Sequence, residues 1–155
     1  MQSAFHFRLH HVAAGDLTGD TAQTAGMRRR EAISGKSVGS EKLWMGQTHV
    51  AADTRSANHH HGESETAIYV VSGHPEFVFL EDRQLDGQED GQEDGRGEPR
   101  EVRIRTQPGD YVFVPPYVPH REENPDPEHE AVVVIARTTQ DAIVVNLPSL
   151  HRPQA

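Results

Sequence analysis

The chain contains two stretches that decide its fold, Asn58–Gly73 with the sequence NHHHGESETAIYVVSG and Pro108–His120 with the sequence PGDYVFVPPYVPH. The first begins with a histidine cluster and runs into an apolar, β-branched segment. The second is an apolar segment that ends at a histidine behind a proline-rich turn. β-branched and aromatic residues favour strands. If the two predicted strands face each other in one barrel, their imidazoles can converge on a metal ion.

Further strands are predicted on both sides of these stretches. Each of these segments is short, rich in β-branched or alternating apolar residues, and bounded by Gly, Pro or Asp. No amphipathic pattern of helical length is evident. The sequence therefore predicts an all-β sandwich or barrel. The predicted strands are Leu43–Val50, Ala67–Ser72, Phe77–Leu80, Glu101–Arg105, Tyr111–Val114, Ala131–Ala136 and Ala142–Leu147.

The ends of the chain are predicted to lie outside this barrel. Residues 1–40 are expected to form an N-terminal arm with edge strands, residues 41–148 the barrel, and residues 149–155 a C-terminal tail. Near the N-terminus, Phe5, Phe7 and Leu9 alternate with polar residues as in a strand. The run Arg28–Arg30 is interpreted as a solvated arm or edge strand, and a substrate-facing arginine is the alternative.

Composition excludes several classes of site. The 155 residues include no cysteine, which excludes disulfides, thiolate nucleophiles and Cys-ligated zinc. The formal net charge of −9 argues against nucleic acid as a partner, because phosphate binding needs a basic face. There is no apolar run of membrane-spanning length and no signal-peptide pattern, so a cytoplasmic protein without a membrane partner is expected.

Most of the negative charge lies in one segment. Residues 81–100 contain eight acidic residues against three arginines, and the tetrapeptide Asp-Gly-Gln-Glu at position 86 recurs at position 90. No apolar residue occurs between Leu85 and Val102, so little there can offset the entropy of ordering. Residues 82–100 are therefore predicted to form an acidic, flexible hairpin loop.

The histidines suggest a metal site. Side chains alternate along a strand, so His59 and His61 share a face and His60 points the other way. His120 is the natural third ligand, since the prolines ahead of it restrict its turn. The residues alone leave open that the histidine run is a surface loop. The expected cofactor is one divalent transition metal ion, Fe, Mn, Zn, Ni or Cu.

The same residues resemble the two motifs of the cupin superfamily. The second motif, G-x5-P-x-G-x2-H-x3-N, is matched from Gly109 to Asn124, with Tyr117 in place of its inner glycine. The first, G-x5-H-x-H-x3-4-E-x6-G, is matched by His59, His61 and Gly73 but lacks its leading glycine. The resemblance implies a small cupin-type double-stranded β-helix, or jelly-roll barrel, with His59, His61 and His120 as metal ligands.

The glutamate of the first motif is the departure from the family pattern. Six residues before Gly73 the chain has Thr66, and Glu65 fits only the shorter spacing after His61. A regular strand from Thr66 would point Thr66 inward and Glu65 outward, whereas a bulge would restore Glu65 as a ligand. Glu65 is therefore retained as a candidate fourth ligand beside a three-histidine alternative.

Function is predicted only as a class, because one fold supports many reactions. The resemblance implies a metal-dependent enzyme acting on a small molecule, with a dioxygenase as one concrete form. The alternatives are a non-catalytic module that binds a small ligand and a metal-free isomerase or epimerase. Tyr117 and Gln47 are the candidate catalytic residues, and Tyr69 and Tyr111 are further pocket candidates. A homodimer is expected, with the C-terminal apolar strand at an edge that needs cover.

Overall fold

The computed structural model describes residues 7–82 and 98–152 of the chain. A 3-10 turn at Ala14–Asp16 and a short helix α1 at Gly35–Val38 accompany the strands. Eleven strands are present in this described part. They are β1 (Met27–Ile33), β2 (Trp44–Val50), β3 (Thr54–Arg55), β4 (His59–His60), β5 (Thr66–Ser72), β6 (Glu76–Glu81), β7 (Arg100–Arg105), β8 (Tyr111–Val114), β9 (His120–Asn124), β10 (Ala131–Arg137) and β11 (Val145–Asn146).

The strands form two antiparallel sheets. One sheet has five strands in the order β1-β2-β10-β5-β8, and the second has the order β11-β4-β9-β6-β7, with β3 paired to β9. Strands that follow one another in the chain often lie in different sheets, so the chain crosses repeatedly between the two layers. This is the all-β jelly-roll architecture that the strand pattern predicts.

The first sheet has a buried and an exposed face, set by the period-two alternation of its strands. In β2 the residues at 44, 46, 48 and 50 are buried, and those between them are only partly so. The neighbouring β10 is in register through Val50–Ala131 and Thr48–Val133. One surface of β2 and β10 therefore faces the second sheet, and the other faces outward.

The apolar core lies between the sheets. Its largest cluster combines residues of β5, β6, β8 and β10, and a smaller cluster closes the barrel where β1, β2 and β10 meet. Removing this apolar surface from water is the main favourable term for the fold. The clusters consist of Ile68, Val70, Phe77, Val114 and Val133, and of Met27, Val50 and Ala131.

The predicted strands from Leu43 to Ala136 are present within a residue or two of their expected ends. The C-terminal prediction was too long, since only Val145–Asn146 of the segment 142–147 is a strand, at the edge of the second sheet. The N-terminal prediction was wrong for Phe7 and Leu9, which are in no strand and are 73% and 94% exposed. The centre of the acidic loop, residues 83–97, and Phe5 lie outside the described residues.

The arginine run Arg28–Arg30 lies in β1, at the edge of the first sheet, as the edge-strand interpretation expected. In the described part of the chain, the structure contains no helix with the length and apolarity required to cross a bilayer.

One buried amide joins the two layers. Asn124, at the end of β9, is 1% exposed. Its Nδ2 lies 3.2 Å from the carbonyl oxygens of Val50 and Ala51 and 2.9 Å from that of His129. The amide therefore satisfies backbone carbonyls of the chain leaving β2 and of the turn before β10, which buried polar groups require.

We expect Asn124→Asp to lower the free energy of unfolding by about 2–4 kcal/mol, because a carboxylate would face three carbonyl oxygens with no proton to donate. Chemical denaturation followed by circular dichroism measures this loss. The matched control is Asn146→Asp at an exposed position of β11, which should change stability by no more than about 0.5 kcal/mol. Equal effects of the two substitutions would contradict the role of the Asn124 amide.

Candidate metal centre

The predicted histidine ligands meet across one strand pair. β4 and β9 are antiparallel, and His59 is directly opposite His120. His61 follows His59 by two residues, and Glu122 follows His120 by two residues. Because alternate residues of a strand share a face, all four side chains point to the same side of the second sheet. His59 and His120 are 6% and 4% exposed.

Each of the three imidazoles is held by a backbone carbonyl. His59 Nδ1 lies 2.7 Å from the Ala57 oxygen, His61 Nδ1 2.9 Å from the Ile143 oxygen, and His120 Nδ1 3.0 Å from the Val118 oxygen. A carbonyl can only accept, so each Nδ1 donates the hydrogen bond. The neutral rings therefore keep a lone pair on Nε2, and such outer partners fix the tautomer and orientation of metal-binding histidines.

The free nitrogens face a common centre. The ring centroids are 4.5 to 5.0 Å apart. One ligand atom from each of the residues His59, His61, His120 and Glu122 lies within 4.8 Å of the others. His120 Nε2 is buried without a hydrogen-bond partner among the described residues, and the Glu122 carboxylate stands 3.7 Å away. That separation is too long for a hydrogen bond.

The charges of the cluster follow from burial and from each other. Burial lowers the pKa of His61 to about 4 and, with the neighbouring His120, also lowers the pKa of His59. Burial acts in the same direction on His120, but the Glu122 carboxylate outweighs it and raises that pKa. Burial acts to raise the pKa of Glu122, yet the three imidazoles hold it at about 2. Near neutral pH, Glu122 is ionised and His59 and His61 are neutral.

This donor set fits a transition metal. Three imidazole nitrogens and one carboxylate oxygen are ligand types of Zn, Fe, Mn, Ni and Cu sites. The ligands must be deprotonated to bind, and the pKa values of His59, His61 and Glu122 keep them so. The orphaned Nε2 of His120 is a buried polar atom whose desolvation a metal ion would compensate. The geometry and the charges therefore agree with a metal centre of four protein ligands.

Glu65, the carboxylate expected beside the histidines, lies elsewhere. It is exposed, and its backbone is bonded to Thr138 through both its amide and its carbonyl. β5 begins at Thr66, which is 5% exposed, so the regular alternation points Thr66 inward and Glu65 outward. Glu122 is the carboxylate that the structure brings to the imidazoles. The sequence signal for it is the spacing His120-x-Glu122, which repeats the spacing of His59 and His61.

Three of the candidate residues lie on the outer face of the first sheet. They are Gln47, expected to be catalytic, and the pocket candidates Tyr69 and Tyr111. Gln47 is paired with Val134, Val134 with Tyr69, and Tyr69 with Tyr111. This row is one residue out of phase with the buried row that contains Thr48 and Val133, so it faces outward. Tyr111 is 79% exposed. The structure therefore places these residues across the first sheet from the metal centre.

Tyr117, the other candidate catalytic residue, lies beside His60 and is not part of the cluster. Its ring lies 5.6 Å from that of His60, and 60% of the residue is exposed. Its φ of 62° is in the left-handed region, where the family motif has glycine. The backbone N–H of Tyr117 donates to the Gly62 carbonyl at 2.8 Å. Tyr117 thus joins the turn before His120 to the turn after His61.

A cavity of about 1270 Å³ reaches the cluster at His120. Apolar residues of β6 and β8, including Phe77 and Val114, form part of its wall, and Leu150–Arg152 of the C-terminal segment form another part. Ligand sites are typically concave and mostly apolar, with a few polar groups. A small molecule could therefore approach His120 from this side.

The chain matches no protein-family model and no curated protein. Solved structures resemble it in fold. A polyketide cyclase of Streptomyces resistomycificus is 19% identical with a TM-score of 0.61, and the match covers 94% of this chain and 90% of that one. An uncharacterised Klebsiella pneumoniae protein with a double-stranded β-helix domain is 15% identical with a TM-score of 0.55, over 83% of this chain and 91% of that one.

Oxalate decarboxylase of Bacillus subtilis is also similar, with 19% identity and a TM-score of 0.59 over 83% of this chain. The chain spans about 30% of the length of that enzyme, which has Mn(II) centres. At these identities the likeness establishes the fold. The chain is a small cupin-type double-stranded β-helix with a His/His/His/Glu cluster.

We expect Glu122→Gln to weaken metal binding by about ten-fold or more, because even the loss of an outer partner of a metal ligand costs that much. Glu65→Gln, the same chemical change at the exposed carboxylate, should leave the affinity unchanged. Competition with a chromophoric chelator measures both variants against the parent protein. A loss confined to Glu65→Gln would assign the carboxylate ligand to Glu65 and contradict the assignment of Glu122.

Proposed function

We propose that this protein is a metal-dependent cupin enzyme that acts on a small molecule. His59, His61, His120 and Glu122 would hold one divalent transition metal ion. The observation on which this rests is the shared arrangement of the histidines. Each Nδ1 donates to a backbone carbonyl, and one ligand atom of each histidine lies within 4.8 Å of the others and of the Glu122 carboxylate. A cation at this centre would satisfy the buried, unpartnered Nε2 of His120.

The donor set favours a metal that accepts both nitrogen and oxygen ligands. Imidazole suits Zn, Cu, Fe and Ni, and carboxylate suits Mn. Oxalate decarboxylase, whose fold is similar, has Mn(II) centres. This supports Mn as one of the candidates beside Fe, Zn, Ni and Cu. When bound, the ion would supply a Lewis acid at the inner end of the cavity.

The chain's own residues have separate tasks in this proposal. The carbonyls of Ala57, Ile143 and Val118 hold the imidazoles in the binding tautomer. The ionised Glu122 would offset part of the charge of the ion. Apolar residues around the cavity, such as Phe77 and Val114, limit the access of water to the site. Tyr117 would act on the substrate from the side of His60, against which its ring lies.

A dioxygenase is the concrete form that we propose first. The alternatives keep the same fold: a non-catalytic module that captures a small ligand, or a metal-free isomerase or epimerase in which His and Tyr serve as acid and base.

We also propose that the protein acts in the cytoplasm as a homodimer. The edge position of β11 and the exposed apolar residues Tyr69, Val71, Tyr111 and Phe113 on the first sheet support the homodimer.

The metal proposal predicts that the protein purified without an affinity tag contains one metal ion per chain. In His61→Ala and His120→Ala, elemental analysis should find most of this metal lost, because each variant removes a ligand from a four-ligand site. His74→Ala is the matched control: His74 is exposed and also donates to a carbonyl, that of Thr106, but lies outside the cluster.

Unchanged metal content in both ligand variants would overturn the metal centre and leave the metal-free isomerase as the better reading. If metal is present, an oxygen electrode with candidate substrates separates the remaining classes. Metal-dependent oxygen consumption supports a dioxygenase. Turnover without oxygen uptake points to another cupin enzyme, and tight ligand binding without turnover points to a binding module.

A further inference from the structure

One arginine of β1 lies on the inner face of the barrel. Arg29 is directly opposite Thr48 of β2, and Met27 is opposite Val50. Met27, Thr48 and Val50 are at most 4% exposed. Alternation places Arg29 on the same face as Met27, whereas Arg28 is exposed on the other face. Of the arginine run, Arg29 therefore points toward the second sheet, which holds the metal centre.

Arg29 interacts electrostatically with two residues of the cluster, Glu122 and His59. Burial lowers the pKa of Arg29, and the Glu122 carboxylate acts against this effect. Arg29 in turn contributes to lowering the pKa of His59. Glu122 is the carboxylate that acts on this guanidinium. Once Glu122 binds a metal ion, its charge is shared with that ion, and the partly buried guanidinium of Arg29 can pair with another anion.

The guanidinium also has donors to spare. A guanidinium has five N–H groups, and within the described residues Arg29 uses one side-chain donor, Nη1 to Thr24 Oγ1 at 2.8 Å. Arg137, the other arginine near the first sheet's inner face, is differently placed. It packs over the Trp44 ring at 4.0 Å and donates to the carbonyls of Thr139 and Gln140. The guanidinium of Arg137 is therefore held by several contacts within the fold, whereas that of Arg29 makes one side-chain hydrogen bond among the described residues.

A second, independent observation lies beside Arg29. Thr48 is 1% exposed, and its Oγ1 is buried without a hydrogen-bond partner in the described part of the chain. On its other side it is paired with the apolar Val133. Directly opposite residues of antiparallel strands have Cβ atoms about 5 Å apart. A buried hydroxyl without a partner is costly, and this one lies on the residue directly opposite Arg29.

We propose that Arg29 and Thr48 form an anion subsite that binds a carboxylate group of the substrate, while another part of the substrate reaches the metal centre. The inference rests on the proposed function and adds the substrate class, a small carboxylic acid. A guanidinium fork matches a carboxylate in geometry. The guanidinium and the Thr48 hydroxyl together offer donors to both oxygens of one carboxylate.

The test uses the metal-loaded full-length protein and isothermal titration with small monocarboxylates (acetate, lactate and benzoate). Acetamide and inorganic phosphate are the comparison ligands. We expect at least one carboxylate to bind more tightly than either comparison ligand. Arg29→Met should weaken that binding about ten-fold or more, as expected for the loss of a charged hydrogen bond, without changing metal content. Arg28→Met, at the adjacent exposed residue, should leave both unchanged.

Thr48→Val gives a readout that a merely structural role would not produce. Replacing an unpartnered hydroxyl by a methyl group should leave the melting temperature unchanged or raise it, while carboxylate binding weakens several-fold. The inference is overturned if no carboxylate binds, if phosphate binds more tightly than every carboxylate, or if Arg29→Met binds like the parent protein. Failures of the two proposals are distinguishable: a protein that purifies without metal but whose carboxylate binding is still lost in Arg29→Met would contradict the proposed function and leave the anion subsite standing.

Discussion

The pairing of His59 with His120 across β4 and β9 is the contact on which the site depends. Because alternate residues of a strand share a face, this register brings His61 and Glu122 to the same side. A shift by one residue in either strand would turn its side chains to the opposite face. The register of this pair therefore decides which side chains form the cluster.

The cluster is costly to the protein without a cation. Three imidazoles donate to backbone carbonyls on one side, and on the other side the Nε2 of His120 is buried without a partner among the described residues. Burial and mutual repulsion keep His59 and His61 uncharged, and Glu122 remains ionised beside them. The neutral imidazoles and the ionised carboxylate favour binding of a cation, and the unpartnered Nε2 of His120 is costly to bury without one. The hydrogen bonds to the carbonyls thus orient the three imidazoles without any contribution from a metal ion.

The sequence predicted the fold and the histidines because both depend on local patterns. Alternation gives the strands, and the spacings about His59, His61 and His120 match two motifs. Which residues of a strand face the interior is harder to predict from the sequence. Gln47 and Thr48 are adjacent, and only the register with β1 and β10 decides which of the two faces the interior. Glu65 was sought within the first motif, although the carboxylate that reaches the imidazoles, Glu122, is supplied by the strand containing His120.

Tyr117 stands at a position where the family motif has glycine, and the structure shows what this position requires of the backbone. A left-handed conformation costs a residue with a Cβ atom about 1–2 kcal/mol, and Tyr117 adopts this conformation with a φ of 62°. The N–H of Tyr117 bonds to the carbonyl of Gly62, itself left-handed and closely covered by Ile143. Ile143 also supplies the carbonyl that holds His61. The strained turn, Gly62 and the segment around Ile143 therefore form one connected support, which fixes His61 relative to His120 at the expense of backbone strain.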